Sequence, residues 1–254
     1  MKEQLTQYFE RIGMKPEDAN ELNLDLLNKI IFAHMTHIPF ENLDIYPVCK
    51  GISLEDDALF NKMVINKHGG FCFEQNGLHV NMLKALGFES HSVMAKILWS
   101  DGTPGGLFHR GVITKIKGKR YYSDVGFGGP MSRYAISLDG EKTPDNFWME
   151  PIDDCWYQIK RITSENESVG VMNIGIQAFL GSDFQMNCDA LLAMEKSPFR
   201  TGYMLNLRTN DGNIHINGLT YGEEHDGVKT EREITQDEFF KIVNTKFNIQ
   251  KAGL

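Results

Sequence analysis

The sequence predicts an α+β fold in which helices and strands occupy different parts of the chain. Through the first third, apolar residues recur at three- and four-residue spacing, which places them on one face of a helix. From about Ser90 they fall in short runs rich in Val, Ile, Thr and Tyr, which favour strands. After Asp189 both patterns occur, so a mixed segment is predicted there.

Two helices are predicted before residue 40. The first ends at Gly13, and the second follows Pro16 and ends before Pro39, because proline disfavours a helical conformation in the residue before it. Their apolar faces are predicted from helical spacing as Leu5, Tyr8, Phe9 and Ile12 in the first helix and Leu22, Leu26, Leu27, Ile30 and Ile31 in the second.

Two more helices are predicted before residue 88. Ser53 and Asp56 have the spacing of a capping box, which predicts a third helix that ends at the glycine pair 69–70. The fourth helix is predicted to begin beside Cys72 and to end at Gly87, because its apolar residues recur at helical spacing between these limits.

The rest of the sequence predicts strands, turns and two further helices. Residues 117–119 are predicted to form a hairpin turn, and a helical stretch is predicted after Asp189. Thr235 and Glu238 have capping-box spacing at the start of the last helix. The predicted strands are 92–99, 107–116, 120–125, 156–163, 203–208 and 214–221, with a turn at 210–213.

The composition argues against several classes of protein. The 254 residues carry a formal net charge of −8, which disfavours a nucleic-acid partner because phosphate binding needs an excess of Lys and Arg. No apolar run approaches the ~20 residues that span a bilayer, and residues 1–11 have no signal-peptide core. We therefore expect a cytoplasmic protein without a membrane partner.

The four cysteines indicate neither a metal site nor a disulfide framework. Cys49, Cys72, Cys155 and Cys188 are far apart and include no Cys-x-x-Cys pair. We therefore predict free thiols and no bound metal. Three of these side chains are expected to be buried as small hydrophobic groups.

Segment 67–76 contains the strongest candidate for chemistry. Gly69 and Gly70 permit an abrupt turn just before a helix, and Cys72 falls in the first turn of that helix. Unpaired N–H groups and the helix dipole favour a thiolate there and can stabilise an oxyanion. The motif alone is equally compatible with a buried structural cysteine.

Among the eight histidines, His109 is the best candidate for a base that activates the cysteine. His79 lies two helical turns from Cys72, and His68 lies across the glycine turn. The predicted hairpin brings Asp124 close to His109, where a carboxylate can fix the imidazole tautomer. Taken alone, His109 is more simply explained as a structural histidine, so the pairing is what favours catalysis.

Two glycine-rich segments, 102–106 and 125–130, adjoin these candidate residues. Glycines allow the backbone to approach a ligand closely and to present N–H groups to an anion. Neither segment continues as Gly-Lys-Ser/Thr, so a nucleotide-binding P-loop is not indicated.

Taken together, these segments resemble the arylamine N-acetyltransferases over nearly the full length of the chain. The separations between Cys72, His109 and Asp124 are also similar to those of the family. The matching segments are Tyr-Phe-Glu-Arg-Ile-Gly at 8–13, His-Ile-Pro-Phe-Glu-Asn-Leu at 37–43, Gly-Gly-Phe-Cys-Phe-Glu-Gln-Asn at 69–76 and Ser-Asp-Val-Gly-Phe-Gly at 123–128.

The resemblance implies three domains. These are an N-terminal helical bundle (1–88), a central antiparallel β-barrel-like domain (89–188) and a C-terminal α/β lid (189–254). It also implies a catalytic Cys-His-Asp triad, arranged as in cysteine proteases, which falls on Cys72, His109 and Asp124.

The resemblance further implies ping-pong acetyl transfer. Acetyl-CoA, as co-substrate, would acetylate Cys72 and leave as CoA, and an arylamine, arylhydroxylamine or hydrazine would then attack the thioester. No metal is implied, and we expect a monomer or a homodimer. The implied substrate- and CoA-binding residues are Phe40, Gly105, Gly106, Phe108, Gly126, Phe127, Gly128 and Gly129. Ordinary core packing explains the two phenylalanines at 40 and 127 almost equally well.

Two features depart from the family, and two other functions stay open. His68 stands where the family usually has arginine, and segment 197–203 differs from the usual lid segment. A cysteine hydrolase or transglutaminase-like enzyme could use the same three residues, because such triads recur across reactions. A non-catalytic protein that binds CoA or aromatic compounds could simply bury Cys72.

Overall fold

The structure, a computed structural model, describes residues 2–163 and 165–249. These residues form six α-helices and twelve strands, which are joined by loops and short helical turns. None of these helices has both the length and the apolar character needed to cross a bilayer. The helices are α1 (Lys2–Arg11), α2 (Leu24–His37), α3 (Asp56–Phe60), α4 (Cys72–Leu86), α5 (Gly181–Ala193) and α6 (Gln236–Thr245). The strands are β1 (Phe40–Glu41), β2 (Glu89–Ile97), β3 (His109–Ile116), β4 (Lys119–Ser123), β5 (Ile136–Ser137), β6 (Phe147–Pro151), β7 (Trp156–Ile162), β8 (Ser168–Gly175), β9 (Met204–Arg208), β10 (Gly212–Asn217), β11 (Thr220–His225) and β12 (Val228–Glu233). The α+β prediction is confirmed.

Helices α1 and α2 direct most of their predicted apolar residues into the core. Leu5 is half-buried and Leu22 is exposed, but the other predicted residues are buried. Helix α2 begins later than predicted, at Leu24. The reason is local, because the Asn23 side chain caps the helix by accepting a hydrogen bond from the Leu26 N–H (2.9 Å).

Helix α3 differs from the prediction, whereas α4 agrees with it. The predicted capping box of Ser53 and Asp56 does not form, because the Ser53 hydroxyl accepts a hydrogen bond from the backbone N–H two residues further on. Helix α3 continues as a π-helical turn that ends at Ile65, before the glycine pair. Helix α4 begins at Cys72 and ends at Leu86, and it is capped by the predicted Gly87, whose φ of +104° suits glycine.

Seven antiparallel strands form a sheet that nearly closes into a barrel. Their order is β5-β4-β3-β2-β8-β7-β6, and the end strands β5 and β6 lie next to each other. Strands β5, β6 and β8 were not predicted. Strand β5 has two residues, and β6 and β8 lack a clean alternation of buried and exposed positions.

The β3–β4 hairpin has the predicted turn. Lys117 and Gly118 have positive φ angles of 50° and 85°, which a two-residue turn needs to match the twist of its strands. Strand β3 begins with His109, and Asp124 directly follows β4. The hairpin therefore brings these two residues to the same end.

A second sheet joins β1 to four later strands in the order β1-β9-β10-β11-β12. Strand β1 contains only two residues, and Phe40 pairs with Asn206 of β9. The predicted strand 214–221 is divided into β10 and β11, because Gly218, with a φ of +61°, lies in a turn between them. Strand β12 was not predicted, since all six of its residues are exposed.

Helix α6 has the predicted cap, and α5 begins earlier than predicted. The Thr235 side chain accepts a hydrogen bond from the Glu238 N–H. Helix α5 starts at Gly181, so the predicted domain boundary between residues 188 and 189 lies within it. The division into three domains stays a prediction.

Candidate active site

Cys72 is the first residue of α4, directly after the glycine turn. The preceding residue, Phe71, donates its backbone N–H to Oε2 of Glu74 (3.1 Å), which fixes the start of the helix. The N–H groups of Cys72 and Phe73 lie in the first turn, where backbone donors have no acceptor within the helix. Cys72 is only 3% exposed, so its thiol does not lie on the open surface of the protein.

A cluster of charges anchors the start of α4. Nζ of Lys62 lies 2.8 Å from Oε1 of Glu74, 2.9 Å from Oδ2 of Asp44 and 3.7 Å from Oε1 of Glu41. Burial by itself lowers the pKa of Lys62, but these three carboxylates, with Glu74 foremost, raise it above its ordinary value. Lys62 therefore supplies positive charge beside the turn at which His68 stands in place of the expected arginine.

His109 and Asp124 form a buried pair that also contacts the sulfur. Nε2 of His109 lies 2.5 Å from Oδ2 of Asp124, and the side chains are 1% and 0% exposed. A side-chain interaction with Cys72 is among the causes that raise the pKa of His109, so the two side chains lie within hydrogen-bonding reach of each other. Sγ of Cys72 lies 3.8 Å from the carbonyl oxygen of Phe108. The imidazole thus lies between the thiol and the carboxylate, and the three predicted catalytic side chains are in contact.

The electrostatics of this group favour an imidazolium. Burial by itself lowers the pKa of His109, but the Asp124 and Cys72 charges and hydrogen bonds raise it to about 10. For Asp124 the balance is reversed, since burial by itself raises its pKa but His109 and further donors lower it. The site therefore holds a positive ring next to an anionic carboxylate.

Four donors converge on the Asp124 carboxylate. Oδ1 accepts from Nδ2 of Asn76 (2.8 Å) and from the backbone N–H of Gly126 (3.0 Å). Oδ2 accepts from His109 and from the hydroxyl of Tyr122 (3.1 Å). Asn76 is itself held by two backbone groups at 2.7 and 3.0 Å. A carboxylate bound on both oxygens is restrained from turning away from the imidazole.

Gly126 allows the loop after Asp124 to pack directly on α4. A Cβ at this position would lie 2.9 Å from Cα of Cys72 and 3.0 Å from Cβ of Gln75. Any side chain there would push the loop, and Asp124 with it, away from the start of the helix. The sequence predicted that the backbone at this glycine can approach a ligand closely. In the structure the backbone approaches the start of α4 closely.

An apolar cavity of about 380 Å³ opens onto Cys72 and His109. Apart from these two residues, its lining consists of apolar or aromatic side chains and glycines. The lining contains every residue that the resemblance implied for substrate or CoA binding, namely Phe40, Gly105, Gly106, Phe108, Gly126, Phe127, Gly128 and Gly129. It also contains six residues that the sequence analysis did not identify, namely Ile97, Trp99, Leu191, Pro198, Phe199 and Met204.

Phe199 shows why part of this wall was missed. It lies in segment 197–203, and its ring centroid is 5.3 Å from that of Phe71 and 6.4 Å from that of Phe40. These partners come from distant parts of the sequence. Near Phe199 itself, the sequence offered no more than an aromatic residue after a proline, which does not by itself predict a place in a cavity wall.

Asn76 and Tyr122 were also missed, although both lie close in sequence to identified residues. Asn76 follows Cys72 by four residues, so the two lie on the same face of α4. Tyr122 precedes Asp124 by two residues, and in an extended chain this spacing directs side chains to the same side. The spacing alone could have identified both as neighbours of the site.

Two other buried histidines have partners elsewhere. Nε2 of His79 lies 3.1 Å from Oγ of Ser123, and His34 lies between the Tyr8 hydroxyl and Oε1 of Gln75, each at 2.9 Å. Burial lowers the pKa of His79 to about 3, so this ring stays neutral at physiological pH. Within residues 2–163 and 165–249, no cluster of three or more His, Cys, Asp or Glu side chains is arranged to hold a metal ion.

Comparison with known proteins identifies the family. An N-acetyltransferase family model matches residues 23–252. The chain belongs to the arylamine N-acetyltransferase family. In sequence it is similar to the arylamine N-acetyltransferase of Escherichia coli K12, with 36% identity over 137 residues, or 53% of this chain and 47% of that protein. The matches to this protein and to the arylamine N-acetyltransferase of Mycobacterium bovis thus span about half the length of those relatives.

Solved arylamine N-acetyltransferases share the fold over nearly the whole chain. The Salmonella typhimurium enzyme has a TM-score of 0.90 at 22% identity, and the match covers 98% of this chain and 93% of that one. The structure of the Mycobacterium marinum enzyme in complex with CoA has a TM-score of 0.85 at 22% identity, with 96% and 92% covered. The predicted family and its mixed fold with a barrel-like sheet are confirmed.

Proposed function

We propose that this chain transfers an acetyl group from acetyl-CoA to an arylamine, arylhydroxylamine or hydrazine through a thioester on Cys72. One observation carries the proposal: Cys72, His109 and Asp124 are in contact, and the first two face an apolar cavity. Family membership supports acyl transfer as the reaction class. CoA binding by the Mycobacterium marinum relative supports acetyl-CoA as the donor.

In the first half-reaction, Sγ of Cys72 attacks the carbonyl carbon of the acetyl thioester. A free thiol is only a few per cent ionised at neutral pH, so pairing with the His109 imidazolium activates it. The developing oxyanion is stabilised by N–H groups at the start of α4. The bond between the acetyl carbon and CoA sulfur then breaks, and CoA leaves as a thiol with the proton from His109.

In the second half-reaction, the amine nitrogen attacks the acetyl-cysteine, and His109 accepts its proton. Acetylation removes a charge from Cys72 that contributes to the raised pKa of His109. We therefore expect the pKa of His109 to fall in the acetylated protein, which makes the neutral ring available as a base. Collapse of the intermediate expels the Cys72 thiolate and releases the amide, so the imidazolium–thiolate pair forms again.

The cavity wall is the proposed site for the aromatic acceptor. The ring of Phe127 is edge-on to His109, with 5.6 Å between the centroids. The ring of Phe40 packs so close to Gly128 that a Cβ there would lie 2.9 Å from it. Aromatic substrates can pack against such rings while water is excluded. The other implied residues are proposed to bring their backbone close to the acyl group of acetyl-CoA. They are Gly105, Gly106, Phe108, Gly126, Gly128 and Gly129.

Intact-protein mass spectrometry with acetyl-CoA tests the proposal. We expect wild-type protein to gain one acetyl group at Cys72 and to lose it when an aromatic amine is added, with formation of the amide. A hydrolase would release acetate without forming the amide, and a non-catalytic CoA-binding protein would show no adduct. Either result would contradict acetyl transfer. A panel of amines, hydrazines and acyl-CoA donors would then identify the preferred substrates.

A further inference from the structure

Tyr122 contacts the His109–Asp124 pair from inside the barrel-like sheet. Its side chain is 0% exposed, and it packs in the barrel core. Its hydroxyl lies 3.1 Å from Oδ2 of Asp124, the same oxygen that accepts from Nε2 of His109. The half-reactions above do not use this contact.

Gly111 provides the space for the Tyr122 ring. The hairpin register pairs Val112 with Ser123, so Gly111 and Asp124 are the next residues along the two chains. A Cβ at Gly111 would overlap the Tyr122 ring and hydroxyl, and would lie 2.6 Å from Cζ. A larger residue at 111 would therefore displace the hydroxyl from Asp124. The hydrogen bond depends on a matched large and small residue on neighbouring strands.

The Tyr122 hydroxyl carries one proton, and Asp124 is the acceptor that it favours. Sδ of Met172 lies 3.4 Å from the same hydroxyl, but a thioether is a weak acceptor and a carboxylate is a strong one. Burial, followed by the charge of Asp124, raises the pKa of Tyr122 well above its ordinary value. The phenol therefore keeps its proton and acts as a donor.

We propose that Tyr122 is a positioning residue that holds the Asp124 carboxylate against Nε2 of His109. Asn76 and Gly126 both bind the other carboxylate oxygen, Oδ1, so the Tyr122 hydroxyl is the donor that shares Oδ2 with His109. The hydroxyl supplies the second restraint on Oδ2 and limits rotation of the carboxylate. The inference rests on the proposed function, since it concerns how His109 is oriented towards Cys72.

Tyr122→Phe tests the proposal because it removes the hydroxyl and keeps the ring. Tyr121→Phe is the matched control, since this neighbouring buried tyrosine packs in the helical core instead of the barrel. We expect Tyr122→Phe to lower kcat/KM for acetyl transfer about tenfold, in line with losing one hydrogen bond to a charged group. Tyr121→Phe should stay within about twofold of wild type.

The pH profile of Cys72 alkylation by iodoacetamide separates positioning from a general structural effect. A donor to an ionised carboxylate lowers its pKa, so removing that donor raises the pKa of Asp124. In Tyr122→Phe we therefore expect the acid limb of the profile to move to higher pH by about half a unit to one unit. The profile of Tyr121→Phe should match that of wild type.

A double mutant identifies the route of the effect. If Tyr122 acts through Asp124, then Tyr122→Phe should change alkylation little further in an Asp124→Asn background. A wild-type rate and profile in Tyr122→Phe, or equal changes in both tyrosine variants, would overturn the inference. Failure of wild-type protein to form an acetyl adduct would instead reject the proposed function, and the alkylation profiles would still test the Tyr122 contact.

Discussion

Nε2 of His109 lies 2.5 Å from Oδ2 of Asp124, with both side chains removed from solvent. An amide in place of the carboxylate would remove the charge that stabilises the imidazolium and would no longer fix its tautomer. We expect Asp124→Asn to fold and to lose about 10³- to 10⁴-fold in kcat, measured by steady-state kinetics. Substitution of an exposed aspartate, Asp139→Asn, is the control. A kcat for Asp124→Asn within tenfold of wild type would show that Asp124 does not orient and stabilise the imidazolium.

Cys72 and Cys188 are both buried, but they are expected to behave differently. Cys188 is 0% exposed in the core, and burial raises its pKa, so it should not react with acetyl-CoA. We expect Cys72→Ser to lower turnover on the order of 10⁴-fold or more with an intact fold, as checked by circular dichroism. Cys188→Ala should still form the acetyl adduct. Substantial turnover by Cys72→Ser would contradict the nucleophile assignment.

The raised pKa of His109 predicts a pH dependence of stability. This pKa is about 10 in the folded protein, compared with about 6.5 for an unperturbed histidine. The stabilisation is fully present below about pH 6.5 and is lost as the pH rises through about 10. Urea unfolding should therefore show that the stability difference between wild type and His109→Gln shrinks over this range. A difference that does not change with pH would count against a charged His109.

The buried charge cluster around Lys62 predicts that substituting this residue, which lies outside the cavity, strongly lowers stability. Its side chain is 16% exposed, and its removal would leave Glu74 and Glu41 buried without their cation. We expect Lys62→Met to lower the free energy of unfolding by about 3–5 kcal/mol, measured by urea denaturation. Lys119→Met, which breaks an exposed pair with Glu141, should cost far less because solvent screens that pair. Equal losses in the two variants would show that the buried cluster has no special role.

His68→Arg tests whether the departure from the family matters. Because Lys62 already pairs with the carboxylates beside the glycine turn, a new arginine has little charge left to neutralise. We expect changes of about 1 kcal/mol or less in stability and about threefold or less in rate. A larger gain in either would mean that Lys62 does not replace the arginine.

The sequence was informative where a few neighbouring residues determine the structure. The start and end of α4, the turn at 117–118 and the cap of α6 each depend on residues within one or two turns. The elements that were missed depend on partners far along the chain. Strand β1 has two residues and exists through its pairing with β9, and β12 has an exposed pattern that lacks the usual alternation.

The same distinction applies to the site. Cys72, His109 and Asp124 could be identified from a helix start and a hairpin, which are local features. Lys62 could not, because its carboxylate partners come from separate segments. Phe199 was missed for the same reason, since its position depends on packing against rings of the N-terminal part.

Strand β1 joins parts of the molecule that the linear order separates. On one side Phe40 pairs with Asn206 of β9, and on the other it is bridged to Gly70, two residues before Cys72. The ring of Phe40 also forms part of the cavity wall. We therefore expect a substitution that shifts β9 to displace both the cavity wall and the turn before Cys72. The proposed substrate selectivity and the reactivity of Cys72 are therefore expected to depend together on a strand of only two residues.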